Sequence, residues 1–211
     1  MGIEFYIGEL TKIATAAVAA YVAAKVGVSK IEKILKTQPG IYKDDADGAS
    51  NLILSASKEI IIVAAGANEL IRKCKNDLVR KLDKGVRVRF LILSKSRYKE
   101  LDGYICGTDP ECRTRINTLC EIMNLRDKYP NLVRIREFDD FMTVSYIGID
   151  LNLEYNRCEV SSDAIIQQMP YIYGIATKKC PINHFTYNKD KEQFLSSRAA
   201  ILYMWADGKD V

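Results

Sequence analysis

The sequence predicts an α/β layered fold, a mixed β-sheet flanked by helices and preceded by an Ala-rich N-terminal helix. Three observations carry this expectation. Runs of strand character alternate with stretches of helical spacing from Ala49 onward, the pattern of a layered α/β domain. Two of these runs are almost continuously apolar, as expected of strands covered on both faces. An uncharged run from Ile13 to Ala24 stands apart from the alternation, and Thr37-Gln38-Pro39-Gly40 follows it as a turn.

Taken in order, Ile13 to Ala24 is bounded by Lys12 and Lys25 and is only 12 residues long. A spanning helix needs about 20 apolar residues. Small residues recur at Thr15, Ala19, Ala23 and at Ala16, Ala20, Ala24, and such stripes permit close helix packing in lipid or in a soluble oligomer. Both readings stay open: a membrane contact through residues 10–28, or an oligomerisation helix. Lys25, Lys30, Lys33 and Lys36 follow the run, an order that keeps the main domain in the cytoplasm, free or anchored to the cytoplasmic face of the inner membrane. The expected domains are therefore 1–38 and 39–211.

The acidic stretch Lys43 to Gly48 suits the start of a helix over Ala49 to Ser57. Ser57 to Asn68 reads as a helix end, a buried strand and a Gly/Asn turn into a helix over about Glu69 to Leu82. Gly85 supplies the positive φ that ends that helix. Val86 to Ser94 is the next strand, Glu111 to Tyr129 a helix stopped by Pro130, and Leu132 to Phe138 an alternating strand. Asp139-Asp140 is a turn, and Met142 to Ile149 a further strand. The C-terminal region shows an aromatic turn, His184-Phe185-Thr186-Tyr187, and a helix from Phe194 to Trp205.

The stretch Thr143-Val144-Ser145-Tyr146-Ile147-Gly148-Ile149-Asp150 has the spacing of His-x-Lys-x-x-x-x-Asp. With the order of elements over residues 40 to 207, it resembles the single phospholipase D-like domains of prokaryotic proteins that lack the catalytic His and Lys. Thr143 stands at the His position and Ser145 at the Lys position, while Asp150 matches. The resemblance implies a metal-independent phosphodiesterase ancestry and, because the known folds pair two such halves, a homodimer. A Thr hydroxyl without a neighbouring base is a poor nucleophile, and Ser cannot neutralise a phosphorane as an ammonium does. The expectation leans away from an enzyme and toward a module that binds a phosphate-containing ligand or a protein partner.

Candidate ligand-binding residues are Thr143, Ser145 and Asp150, together with Arg87, Arg89, Arg134 and Arg136. Each arginine pair projects to one face of its strand, and four guanidiniums would suit phosphate if those faces meet. The plain alternative is salt bridges to acids such as Glu137 or Asp139. The catalytic alternative is an unconventional phosphodiesterase site using His184, the single imidazole, with Asp150. His184 in a loop or packing role is the competing reading. A third class is a membrane-anchored or oligomeric structural or defence component.

Composition narrows the rest. With 211 residues, 48% of them hydrophobic, the chain can bury a sizeable core. A formal charge of +4 permits phosphate contact without the basic concentration of a dedicated nucleic-acid binder. Six cysteines, at 74, 106, 112, 120, 158 and 180, form no Cys-x-x-Cys pair and read as reduced thiols. No metal-ligand spacing and no cofactor motif is present in the sequence.

Overall fold

The computed structural model describes residues 41–42, 46–98, 113–153, 160–171 and 180–211, with side chains from 48 and, after the first gap, from 115. The Ala-rich segment, its linker and Cys106, Cys112 and Cys158 lie outside the described residues. The chain divides into Met1–Ile41 and Tyr42–Val211.

The strands are β1 (Ile41–Tyr42), β2 (Glu59–Ala64), β3 (Arg87–Leu93), β4 (Val133–Phe138), β5 (Val144–Ile149), β6 (Ile165–Pro170), β7 (Ile182–Thr186) and β8 (Lys209–Asp210). The helices are α1 (Ala46–Ser55), α2 (Asn68–Leu82), α3 (Arg113–Lys128) and α4 (Lys191–Asp207). One sheet runs in the order β1-β7-β6-β5-β2-β3-β4-β8. β2, β3 and β4 are parallel, whereas β5 returns antiparallel beside β2 and continues antiparallel into β6 and β7. This is the mixed α/β layered fold that the alternation predicts.

Period-two alternation divides the strand side chains between two cores. On one face, Ile60, Ile62, Val88, Phe90, Ile92, Val133, Ile135, Ile147 and Ile149 pack with Leu52 and Ile53 of α1, Ile71 and Leu78 of α2, and Ile122 and Leu125 of α3. On the other, Ile61, Val63, Leu91, Leu93, Tyr146 and Ile166 meet Phe194, Ile201 and Trp205 of α4. Both faces of β2 and β3 are therefore covered, which explains their nearly unbroken apolar sequences. Each fully buried Ile, Leu or Phe of these layers contributes about 1.5–3 kcal/mol. Cys74 lies in the first core and burial holds its thiol above the ordinary value, an inert packing role.

Local chemistry sets the boundaries. α2 ends where Gly85 adopts φ +81° and its N–H reaches the Leu82 carbonyl at 2.9 Å, the glycine stop expected from the sequence. Gly148 is required by packing: an added Cβ would collide with the Leu151 side chain and lie 2.7 Å from Ile61 Cγ2.

Strands β1, β6, β7 and β8 lie outside the sequence expectation. His184 lies within a strand, β7, and β6 precedes it. Gln167-Gln168 interrupts the apolar alternation of β6, and Ile-Asn-His-Phe-Thr shows little of the usual β pattern. β6 forms on the ladder that the edge of β5 offers and β7 on that of β6, a tertiary effect that overrides weak local propensity.

Candidate functional site

Asp150 occupies the motif's final position, immediately after β5, with φ 54°. Its carboxylate accepts hydrogen bonds from the Ser57 N–H at 3.0 Å, the Ser57 hydroxyl at 2.7 Å, the Lys58 N–H at 2.7 Å and the Glu59 N–H at 2.8 Å. Burial pushes this carboxyl up, but the Ser57 hydroxyl and the N–H groups of Glu59, Ser57 and Lys58 together hold it below the ordinary carboxylate range. Asp150 thus ties the end of β5 to the start of β2. Both oxygens are engaged by the chain and the residue is buried, which gives it an anchoring role.

Thr143 and Ser145 sit at the opposite end of β5. Thr143 is exposed just before the strand, and the Ser145 hydroxyl reaches the Met169 carbonyl at 3.3 Å. This is the edge where β2, β3 and β4 end and where the strand order reverses between β2 and β5. Ligands of open α/β sheets bind at such a switch point outside the carboxyl ends of the strands.

Several groups converge along that edge. The Tyr171 N–H donates to the Thr143 carbonyl at 2.8 Å, and its hydroxyl accepts the Ala65 N–H at 3.1 Å. α2 begins here: Ala67, with φ 56°, precedes it and provides no side-chain cap. A helix N-terminus with uncapped N–H groups favours an anion. Asn68 donates to the Tyr98 hydroxyl at 3.3 Å, while its Oδ1 is buried without a hydrogen-bond partner. The Tyr98 ring lies 3.0 Å from where a Cβ on Gly66 would stand, so glycine allows the ring its approach. The guanidinium of Arg115 lies over the Tyr98 ring, 5.7 Å from its centroid.

Arg115 is 3% exposed. It donates to the Leu93 carbonyl at 2.6 Å and to Glu137 Oε1 at 2.8 Å, while its Nε is buried without a partner. Ser94 donates to Asp139 at 2.6 Å, and the Arg97 Nε reaches the Asp139 carbonyl at 2.8 Å, joining the ends of β3 and β4. The Ser94 hydroxyl is the main cause that holds Asp139 below the usual carboxylate value.

The four arginines singled out in the sequence do share one face, since β3 and β4 are neighbours with Arg89 opposite Arg134. It is the α4 face, away from α2 and α3. Arg89 forms a 2.7 Å ion pair with Glu59, their side chains 9% and 2% exposed. That contact meets ion-pair distance without hydrogen-bond alignment at Oε1. Arg136 pairs with Asp210 at 3.0 Å and donates to the Trp205 carbonyl at 2.7 Å. Both guanidiniums lie over the Trp205 ring, at 5.3 and 4.9 Å. Arg134 is exposed and Arg87 half-buried. Two of the four guanidiniums are thus paired, with Glu59 and Asp210 rather than with Glu137 or Asp139.

His184 is half-buried on β7, in register with Gln167, and two strands from β5. Burial holds its imidazole below the ordinary value. The strand register puts it on the same face as Ser145 but in the row of Ile147, with Ser145 two residues away along β5. It does not bring His184 to the Asp150 carboxylate, whose oxygens face Ser57 to Glu59. Near His184, Gln167 Oε1 and Thr186 Oγ1 are buried without hydrogen-bond partners.

Arg115, Asn68, Tyr98 and Tyr171 are the edge residues that sequence reading passes over. A signal existed for Arg115. It lies in the first turn of a helix with no acidic residue there, where a cation opposes the helix dipole; such a local conflict marks functional positions. Among the described residues no group of three His, Cys, Asp or Glu side chains is placed to hold a metal. No helix among them is long and apolar enough to cross a membrane.

The topology defines the class as a mixed α/β layered domain. No protein-family model matches the chain, and no curated protein matches it. Among solved structures it is similar to TrmBL2, an archaeal chromatin protein described as showing a novel mode of DNA binding. The identity is 13% over 99% of this chain and 69% of that chain, with a TM-score of 0.47. It is also similar to phosphatidylserine synthase from Haemophilus influenzae Rd KW20, with 16% identity over 77% of this chain, 36% of that chain and a TM-score of 0.45.

Proposed function

We propose that the protein is a non-catalytic, phospholipase D-like module that binds a phosphate-containing ligand at the carboxyl edge of its sheet. The observation that carries this reading is the buried Arg115 guanidinium, which keeps one N–H unpartnered at the edge where α2 begins uncapped. Arg115 supplies a guanidinium that is already paired with Glu137 at 2.8 Å, the first N–H groups of α2 supply a dipole, and Thr143 adds a hydroxyl. These are donors suited to phosphate oxygens, and none is an activated nucleophile. The motif's Asp supports ancestry through its place in the fold, whereas the groups that would attack phosphorus and neutralise it are replaced by Thr143 and Ser145.

Calorimetric titration with inorganic phosphate and with a nucleoside monophosphate tests the reading. Thr143→Val and Arg115→Lys are expected to weaken binding several-fold while His184→Ala leaves it unchanged. Failure of both titrants to bind the folded wild-type protein would remove the proposal. Metal-independent hydrolysis of a phosphodiester that disappears in His184→Ala would replace it with the catalytic alternative.

A further inference from the structure

Phe141, on the loop that joins β4 to β5, is 63% exposed. A singly exposed apolar side chain is ordinary on a protein surface, but this one stands at the carboxyl edge, two residues before Thr143. Burial alternates along the loop. Phe141 and Thr143 are exposed, whereas Met142 between them is 1% exposed and packs with Phe138, Val144 and Tyr146 in the second core. Phe141 and Thr143 therefore turn away from that core, toward the side of the sheet on which α2 and α3 pack. Two residues of extended chain separate their Cα atoms by roughly 6–7 Å.

The loop is fixed on both sides of the ring. Ser94 and Arg97 hold Asp139, the Phe141 N–H donates to the Asp140 carboxylate at 2.7 Å, and the Tyr171 N–H donates to the Thr143 carbonyl at 2.8 Å. An aromatic side chain on a held backbone has only two χ angles to settle when a ligand arrives, so it offers contact area at low entropic cost. Charge limits what can lie against it. Asp139 and Asp140 precede the ring, both exposed, and Lys209 offsets the first in part from 4.0 Å. Two carboxylates at this point repel the continuing backbone of a nucleic-acid strand, whereas an uncharged flat ring meets no such barrier.

We infer that Phe141 is the platform on which the base of a mononucleotide stacks while its phosphate occupies the carboxyl-edge site. The inference rests on the phosphate-binding reading above and adds the class of phosphate that the site selects. A ribose bridges the offset between the ring of Phe141 and the donors beyond Thr143. Every base has a π-face, so the platform separates nucleotides from other phosphates without separating one base from another.

Calorimetric titration of the full-length protein with adenosine monophosphate and with ribose 5-phosphate, which lacks the base, tests it. Adenosine monophosphate is expected to bind about tenfold more tightly. Phe141→Ala should abolish that advantage while leaving the ribose 5-phosphate affinity and the melting temperature unchanged, and Phe141→Tyr should keep it. Equal affinity of the two ligands for the wild-type protein overturns the inference and leaves the phosphate site standing. An advantage that persists in Phe141→Ala overturns it as well, since the base would then lie elsewhere. Binding of neither ligand removes the phosphate site and this inference with it.

Discussion

Asp150 shows how a residue's position can be legible while its role is not. The motif spacing located it correctly at the end of a strand, but three of its four hydrogen-bond donors are backbone N–H groups of residues more than ninety positions away, which no local pattern encodes. Removing the carboxylate leaves those buried donors unsatisfied. Asp150→Ala is therefore expected to lower unfolding free energy by about 2–4 kcal/mol in urea titrations, while phosphate affinity of the remaining folded protein is unchanged. A ligand-binding Asp150 would give the reverse pattern. His184 carries a separable prediction. Its folded pKa is depressed by burial, so the unfolded chain binds more protons as pH falls below about 6.5. The associated stability is fully present above that pH and is lost as pH drops through the folded value. His184→Gln should flatten this slope between neutral and mildly acidic pH. Depression of Asp150 acts in a lower window, beneath about 3.9. An unaltered slope in His184→Gln would assign the acid sensitivity to carboxylates.

At the scale of elements, legibility followed the strength of local pattern. β2, β3, β4 and β5 and the four helices were recognisable from periodicity and punctuation, since their sequences carry burial directly. β6 and β7 were not, because Gln167, Gln168, Asn183 and His184 place polar side chains on strands stabilised by their neighbours. The arginine alternation on β3 and β4 correctly indicated a shared face, but the partners came from β2 and β8, elements remote in sequence. Both guanidiniums lie over the Trp205 ring, joining α4 to the sheet through cation–π contacts. Arg89→Met should cost about 3 kcal/mol or more by leaving Glu59 buried and unpaired, whereas Arg89→Met combined with Glu59→Leu should recover most of that loss. Chemical denaturation of the two variants decides it. Equal destabilisation would mean that Arg89 acts mainly through packing on Trp205 rather than through its charge.

At the scale of the whole molecule, the candidate site is a product of topology. Ala65, Asn68, Tyr98, Arg115, Thr143 and Tyr171 come from five successive stretches of chain, and only the reversal of strand order between β2 and β5 brings their elements to one edge. Both described cores also draw their side chains from Leu52 to Trp205. A chain of residues 39–211 is therefore expected to unfold cooperatively and to bind inorganic phosphate with the affinity of the full chain. Any ligand that binds only the folded state must also raise its unfolding temperature, by an amount that grows with ligand concentration. Thermal melts with and without phosphate, on both chains, measure folding and binding together. A shortened chain that melts cooperatively but shows no phosphate-induced shift, while the full chain does, would place an essential part of the site in residues 1–38. A shortened chain without a cooperative melt would instead show that the two cores need that segment to fold, and the site would then be inseparable from it.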